Sequence, residues 1–167
     1  MELDEWMTRF GPSVLHFAYS RLMDKDEAED IFQEVFVRAH LEGNSVKDKD
    51  KAKAWLLATT LNLCRDRARW LQRYRRRTVQ GEVMDLVDHA ADVEDAIVTK
   101  VTNQAIWRKI LSLSPGSRDV IILHYFEDLS IRDIANILGC SEQVIKTRLH
   151  RARRRLKDVL LREGGPR

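Results

Sequence analysis

Cysteine is scarce in this chain of 167 residues, with Cys64 and Cys140 the only two. Neither belongs to a CxxC pair or lies beside paired histidines, so the spacing supports no zinc site and no redox motif. Both fall inside helical patterns and read as small apolar residues. The five histidines, His16, His40, His89, His124 and His150, are scattered without ligand spacing, and no glycine-rich phosphate loop occurs. An enzyme would need a convergent acid, base or metal set that is missing here, so no catalytic residue, metal or cofactor is expected. No apolar run reaches the roughly 18 residues of a membrane span. The opening MELDEWMTRF has neither a cationic start nor an apolar stretch, so no signal peptide is expected. These absences lead to the expectation of a cytoplasmic protein without membrane insertion. Strand-like alternation is also missing throughout.

What remains is helical periodicity and an uneven charge pattern. An apolar content of 44% suffices to bury cores in one large or two small domains. The net charge of +3 conceals blocks of opposite sign. Residues 1–60 carry 8 basic and 12 acidic groups, 61–80 carry 7 and 1, 81–100 carry 1 and 6, and 141–167 carry 9 and 3. Two cationic blocks thus flank an acidic one, and a nucleic acid touched at two places is the simplest partner for that pattern.

The most informative stretch is Ser130 to Leu156. Ser130 can cap a helix, with Asp133 three residues on closing a capping box, and Ile131, Ile134, Ala135 and Leu138 share one face. Gly139 permits a left-handed turn, Ser141 caps a second helix, and Ile145, Leu149, Ala152 and Leu156 line one side of it. Two short helices joined so tightly make a helix-turn-helix. Counting 100° per residue from the buried stripe places Gln143, Thr147, His150, Arg151 and Arg154 on the opposite face with Lys146 beside them, where a DNA major groove would meet them.

Upstream, Trp6, Phe10, Val14, Phe17 and Ala18 form the packing side of a first helix, with a kink expected at Gly11 and Pro12. Asp26 and Glu29 suggest the capped start of a second, whose core face is Ala28, Ile31, Phe32, Val35, Phe36 and Ala39. Its other face carries Glu29, Asp30, Gln33, Glu34 and Arg38, which the pattern alone leaves open between solvent and partner. Residues 40–53 read as a polar loop. A long helix follows to about Arg77, with Ala54, Leu57, Ala58, Leu61, Cys64, Ala68 and Leu71 as its packing stripe. Its other side presents Trp55, Thr59, Asn62, Asp66, Arg69 and Arg73, with Arg65, Arg67, Trp70, Tyr74, Arg75, Arg76 and Arg77 nearby. Arginines interleaved with aromatics suit a single strand, whose phosphates seek cations and whose unpaired bases seek stacking partners; whether Trp55 and Trp70 are exposed or core is open. The organisation expected is all-α, with two small helical domains: 1–77, a flexible acidic linker 78–92, a helix-turn-helix domain 93–163, and a tail 164–167.

The segments DEAEDIFQEVFVRAH (26–40), KAWLLATTLNLCRDRAR (53–69) and LSLSPGSRDVIILHYFEDLSIRDIANILGCSEQVIKTRLHRARRRL (111–156) together resemble bacterial RNA polymerase sigma factors of the extracytoplasmic-function (ECF) group. The resemblance implies a promoter-specificity subunit. Its first domain would bind core polymerase and open the −10 element, and its second would read the −35 element. It implies that Asp30, Gln33 and Glu34 meet the β′ clamp helices, and that the β flap and an anti-sigma protein are further partners. It also implies that Asn62 and Asp66 lie in the melting helix, that the arginines after them contact −10 DNA, and that Lys146, Thr147, His150 and Arg151 meet −35 bases. The chain departs from the family at Val46 and Ala52, where the loop usually carries aromatics, and at Gln143 and Val144. Within the loop, Asn44 and Ser45 are candidate readers of a flipped −10 base, with Lys47 for phosphate. The alternative is a helix-turn-helix regulator that binds duplex promoter DNA without being a polymerase subunit.

Overall fold

The computed structural model describes residues 3–46, 48–78 and 104–163. Among them every regular element is helical, and they form two units, 3–78 and 104–163. The expected linker beyond Thr78, the expected start of the second domain at residues 93–103, the tail 164–167 and Lys47 lie outside the described residues. Thr78, expected in the linker, is the last residue of a helix.

The first unit is a bundle of α1 (Leu3–Leu22), α2 (Lys25–Glu42) and α3 (Ala52–Thr78), each packed on the other two. Phe17, Val14, Ile31, Val35, Leu57 and Leu61 are almost wholly buried between them. The kink expected at Gly11 and Pro12 does not interrupt α1, which runs through both. Gly11 serves a close approach instead: a Cβ there would stand 3.2 Å from Cε2 of Phe32 on α2. The cap of α2 also differs from expectation. Met23 takes a left-handed conformation (φ 54°) directly after α1. The chain therefore turns early, and Asp24, not Asp26, accepts the Glu27 N–H at 3.0 Å.

The residues expected as a loop are partly helical. α2 extends to Glu42, and two 3₁₀ turns, Gly43–Ser45 and Lys49–Lys51, lead into α3. The packing stripe of α3 is broader at its start than predicted, because Ala52, Leu56, Thr60 and Leu63 are also buried. Thr60 tolerates this by donating its hydroxyl to the Leu56 carbonyl at 2.7 Å. Beyond Cys64 the stripe comes to the surface, with Ala68 exposed and Leu71 half-buried. At 27 residues α3 is longer than α1 (20) and α2 (18), so its far end has less helix to pack against.

The second unit comprises α4 (Gln104–Leu111), α5 (Pro115–Ile121), a π turn (Ile122–Phe126), α6 (Ile131–Leu138) and α7 (Glu142–Glu163). α7 is its spine and packs against α4, α5 and α6. The wider π turn closes with Glu127 N–H on the Ile122 carbonyl at 3.0 Å, and Asp128 then turns left-handed (φ 54°) before α6. Trp107 is buried with its ring edge-on to Phe126.

Replacing Gly11 by Val drives a branched side chain at the Phe32 ring, and overpacking of this kind costs about 1–3 kcal/mol. The expected outcome is faster hydrogen exchange in peptides of α1 and α2, with those of α7 unchanged.

Candidate functional site

On α2, burial of Ala28, Ile31, Val35 and Ala39 fixes the rotation of the helix and turns Asp30 and Gln33 outward, with Glu34 half-exposed at the edge. Of the three residues assigned to polymerase, two are brought to a common cation. Arg67 of α3 bonds closely to Glu27, and its guanidinium also lies 3.7 Å from Asp30 and 3.9 Å from Glu34. The inner pair is three-quarters buried, whereas the side chains of Asp30 and Glu34 are 64% and 44% exposed. Burial by itself would lower the Arg67 pKa, but the Glu27 hydrogen bond and the charges of Glu27, Asp30 and Glu34 outweigh it and raise the pKa above its usual value. Glu34 has a second cation, Arg38, at 4.0 Å. Gln33 belongs to none of these pairs. The spacing of Glu27, Asp30 and Glu34 at i, i+3 and i+7 marks a line of acids on α2, and that line is the signal by which the Arg67 cluster could have been found.

On α3, Asn62, Arg65, Asp66, Arg69, Trp70 and Arg73 are all exposed, as expected of a nucleic-acid face. Asp66 and Arg69 pair with each other at 2.6 Å, so their charges are partly spent within the helix. The two tryptophans separate. Trp55 is half-buried with its ring 6.5 Å from that of Trp6, so it contributes to packing as well as to the surface. Trp70 is 57% exposed and stacks on Tyr74, with ring planes 9° apart and centroids 5.5 Å apart. That pair presents a flat apolar surface among Arg65, Arg69 and Arg73. In the 3₁₀ turn after α2, Asn44 and Ser45 are exposed, and the Ser45 hydroxyl already donates to the Glu42 carbonyl at 2.7 Å. Asn44 is therefore the freer of the two to meet a ligand.

In the second unit the two serine caps and the left-handed glycine read from the sequence are present. Ser130 accepts the Asp133 N–H at 3.1 Å, Ser141 accepts the Val144 N–H at 3.2 Å, and Gly139 is left-handed with φ 71° and ψ 37°. Ile145, Leu149 and Ala152 are fully buried, and Leu156 half-buried. All six residues assigned to DNA on α7 (Gln143, Lys146, Thr147, His150, Arg151 and Arg154) are exposed as a result. Thr147 donates its hydroxyl back to the Gln143 carbonyl at 3.1 Å, which leaves the oxygen's lone pairs able to accept. Among the described residues no group of histidine, cysteine and carboxylate side chains could hold a metal ion, and no helix is long and apolar enough to cross a membrane.

Removing Arg67 leaves three carboxylates without their shared cation. Arg67→Met is expected to lower the stability of the first unit by about 1–2 kcal/mol in urea titrations at low salt, with a smaller loss at 0.5 M salt.

Comparison with known proteins gives the same division. Residues 6–74 match Sigma-70 region 2, and residues 103–156 match Sigma-70, region 4. The chain is 34% identical to the ECF RNA polymerase sigma factor SigW of Bacillus subtilis, across 90% of this chain and 84% of that protein. It is 28% identical to SigM of the same organism, across 95% of each. Among solved structures, the sigma factor RpoE of Bartonella quintana, in complex with the anti-sigma factor NepR, superposes with a TM-score of 0.72 at 25% identity, covering 94% of this chain and 95% of that one. CnrH shares the fold with a TM-score of 0.61 at 24% identity over 95% of this chain and 86% of that one. The acid-faced bundle and the helix-turn-helix are thus regions 2 and 4 of one kind of transcription subunit, and the chain belongs to the ECF sigma factors of the sigma-70 family, which bind core RNA polymerase and direct promoter-specific initiation.

Proposed function

We propose that the first unit makes the polymerase contact and opens the −10 element, and that the second reads the −35 duplex. The observation that carries the reading is the phase of α7: Ile145, Leu149 and Ala152 have no exposed surface, so the cations of the helix are held outward together. On α2, Asp30, Gln33 and Glu34 offer carboxylates and an amide to the β′ clamp helices. The long-range pull of the acids speeds encounter with a basic surface more than it tightens the final complex. On α3, Asn62, Arg65, Asp66, Arg69 and Arg73, with the Trp70 ring, take the melted −10 strand by phosphate attraction and base stacking, and Trp55 contributes from the packed edge. Asn44 and Ser45 hold the flipped base. In the second unit Gln143, Lys146, Thr147, His150 and Arg151 meet base edges in the major groove, and Arg154 meets phosphate.

The domain limits proposed are 1–78 and 93–163, with 79–92 as the tether between them. The β flap is the further polymerase contact, and an anti-sigma protein holds the chain inactive; support for the latter comes from RpoE, solved with its anti-sigma factor NepR. The protein acts in the cytoplasm and carries out no catalytic step of its own. A helix-turn-helix regulator working without polymerase leaves the acidic face of α2 and the aromatic and arginine face of α3 without a purpose.

Selection of duplexes by wild-type and variant holoenzymes tests the reading. Arg151→Ala or Thr147→Ala is expected to relax preference at particular −35 positions by about 1–3 kcal/mol, while Arg154→Ala weakens binding to all sequences alike. A change of preferred base with Arg154→Ala and none with Arg151→Ala would reverse the assignment of the face.

A further inference from the structure

Two residues outside the proposed base-reading set are joined across the second unit. The Arg153 guanidinium lies over the ring of Tyr125, 5.8 Å from its centroid. Tyr125 is 50% exposed and sits in the π turn that precedes α6. Its ring is braced by His124, edge-on at 4.9 Å, whose Nδ1–H donates to the Leu129 carbonyl at 3.2 Å. The platform under Arg153 is therefore set by the backbone that leads into the helix-turn-helix.

Arg153 lies on the flank of α7 between its buried stripe and its groove-facing side. Arg153 and Lys157 fall at i and i+4 there, a short line of exposed cations about 6 Å long that belongs to no base contact. A recognition helix set in a major groove has a phosphate backbone along its flank, and such a line follows it. A guanidinium over a tyrosine ring at this distance keeps the N–H groups that point away from the ring for a second partner. A guanidinium placed against a ring suits the bidentate recognition of a phosphate.

We propose that Tyr125 and Arg153 form a phosphate clamp on the flank of α7, which sets the helix in the −35 duplex without reading its sequence. Arg153 binds the phosphate, and Tyr125 is a positioning residue acting through it. The inference rests on the assignment of α7 to the −35 duplex.

The test uses full-length protein assembled with core polymerase and the duplex that wild-type holoenzyme enriches from a random −35 pool. Affinity is measured between 50 and 200 mM salt on that duplex and on single-base variants of it. Arg153→Gln is expected to lower the slope of log K against log salt by about 0.9, with the same proportional loss on every duplex. Tyr125→Leu is expected to cost roughly two- to fivefold in affinity, and Tyr125→Phe, which keeps the ring, to restore it. An unchanged slope with Arg153→Gln, a surface substitution that leaves the fold intact, would overturn the clamp. Tyr125→Phe as weak as Tyr125→Leu would overturn the role of the ring. If wild-type holoenzyme enriched no −35 sequence at all, the assignment of α7 would fail before the clamp was in question.

Discussion

Burial of an apolar stripe on the longer described helices, α2, α3 and α7, sets where most of their charged side chains can point. A helix has one rotational degree of freedom about its axis, and burial of three or four apolar residues per two turns removes it. In α7 this is done by Ile145, Leu149 and Ala152, none of which has exposed surface. Burial of Ile145 and of Leu149 contributes about 1.5–3 kcal/mol each relative to exposure, far more than the salt-screened repulsion among neighbouring surface arginines. Packing therefore keeps the cations of α7 together on one side against their mutual repulsion. The energy of that crowding is what a polyanion would relieve on binding.

The same constraint gives the first unit two different faces. Burial of Ile31, Val35 and Ala39 turns the acids of α2 outward, while Leu57, Leu61 and Cys64 do the same for the arginines of α3. The two helices pack side by side, so an acidic and a basic face adjoin. Arg67 occupies the seam, bonded to Glu27 inside and within 3.9 Å of Glu34 outside. Arg67 shared by three carboxylates, with Arg38 beside Glu34, leaves the seam net negative. The more exposed acids, Asp30 and Glu34, are held only by long contacts, which a basic partner can replace at little cost. The proposed polymerase surface is thus partly neutralised within the protein but not closed.

What could be read from the sequence was what is decided locally. Ser130, Gly139 and Ser141 act on backbone groups within a few residues, so their spacing alone fixes the helix-turn-helix and the helix boundaries follow. The sequence pattern misplaces the N-terminal cap of α2 at Asp26 for a local reason: Asp24 with Glu27 has the same spacing as Asp26 with Glu29, and the left-handed turn at Met23 puts the cap at Asp24. Features set by packing were hidden. The Arg67–Glu27 pair spans 40 residues and depends on the phase of two helices. Gly11 lies in an unbroken helix because of the Phe32 ring across the interface, not because of its own neighbours. The π turn at Ile122–Phe126 has no signature in composition. Trp55 and Trp70 look alike as sequence, yet one has Trp6 to pack against and the other lies where α3 has outrun its partners.

Run-off transcription with purified core polymerase on a library of randomised promoters tests the central claim most directly. The account predicts start sites that appear only when this protein is added and that share two sequence elements at a fixed separation. Binding of the protein to duplex DNA with no start site that depends on it would contradict the account and favour a regulator that works apart from polymerase.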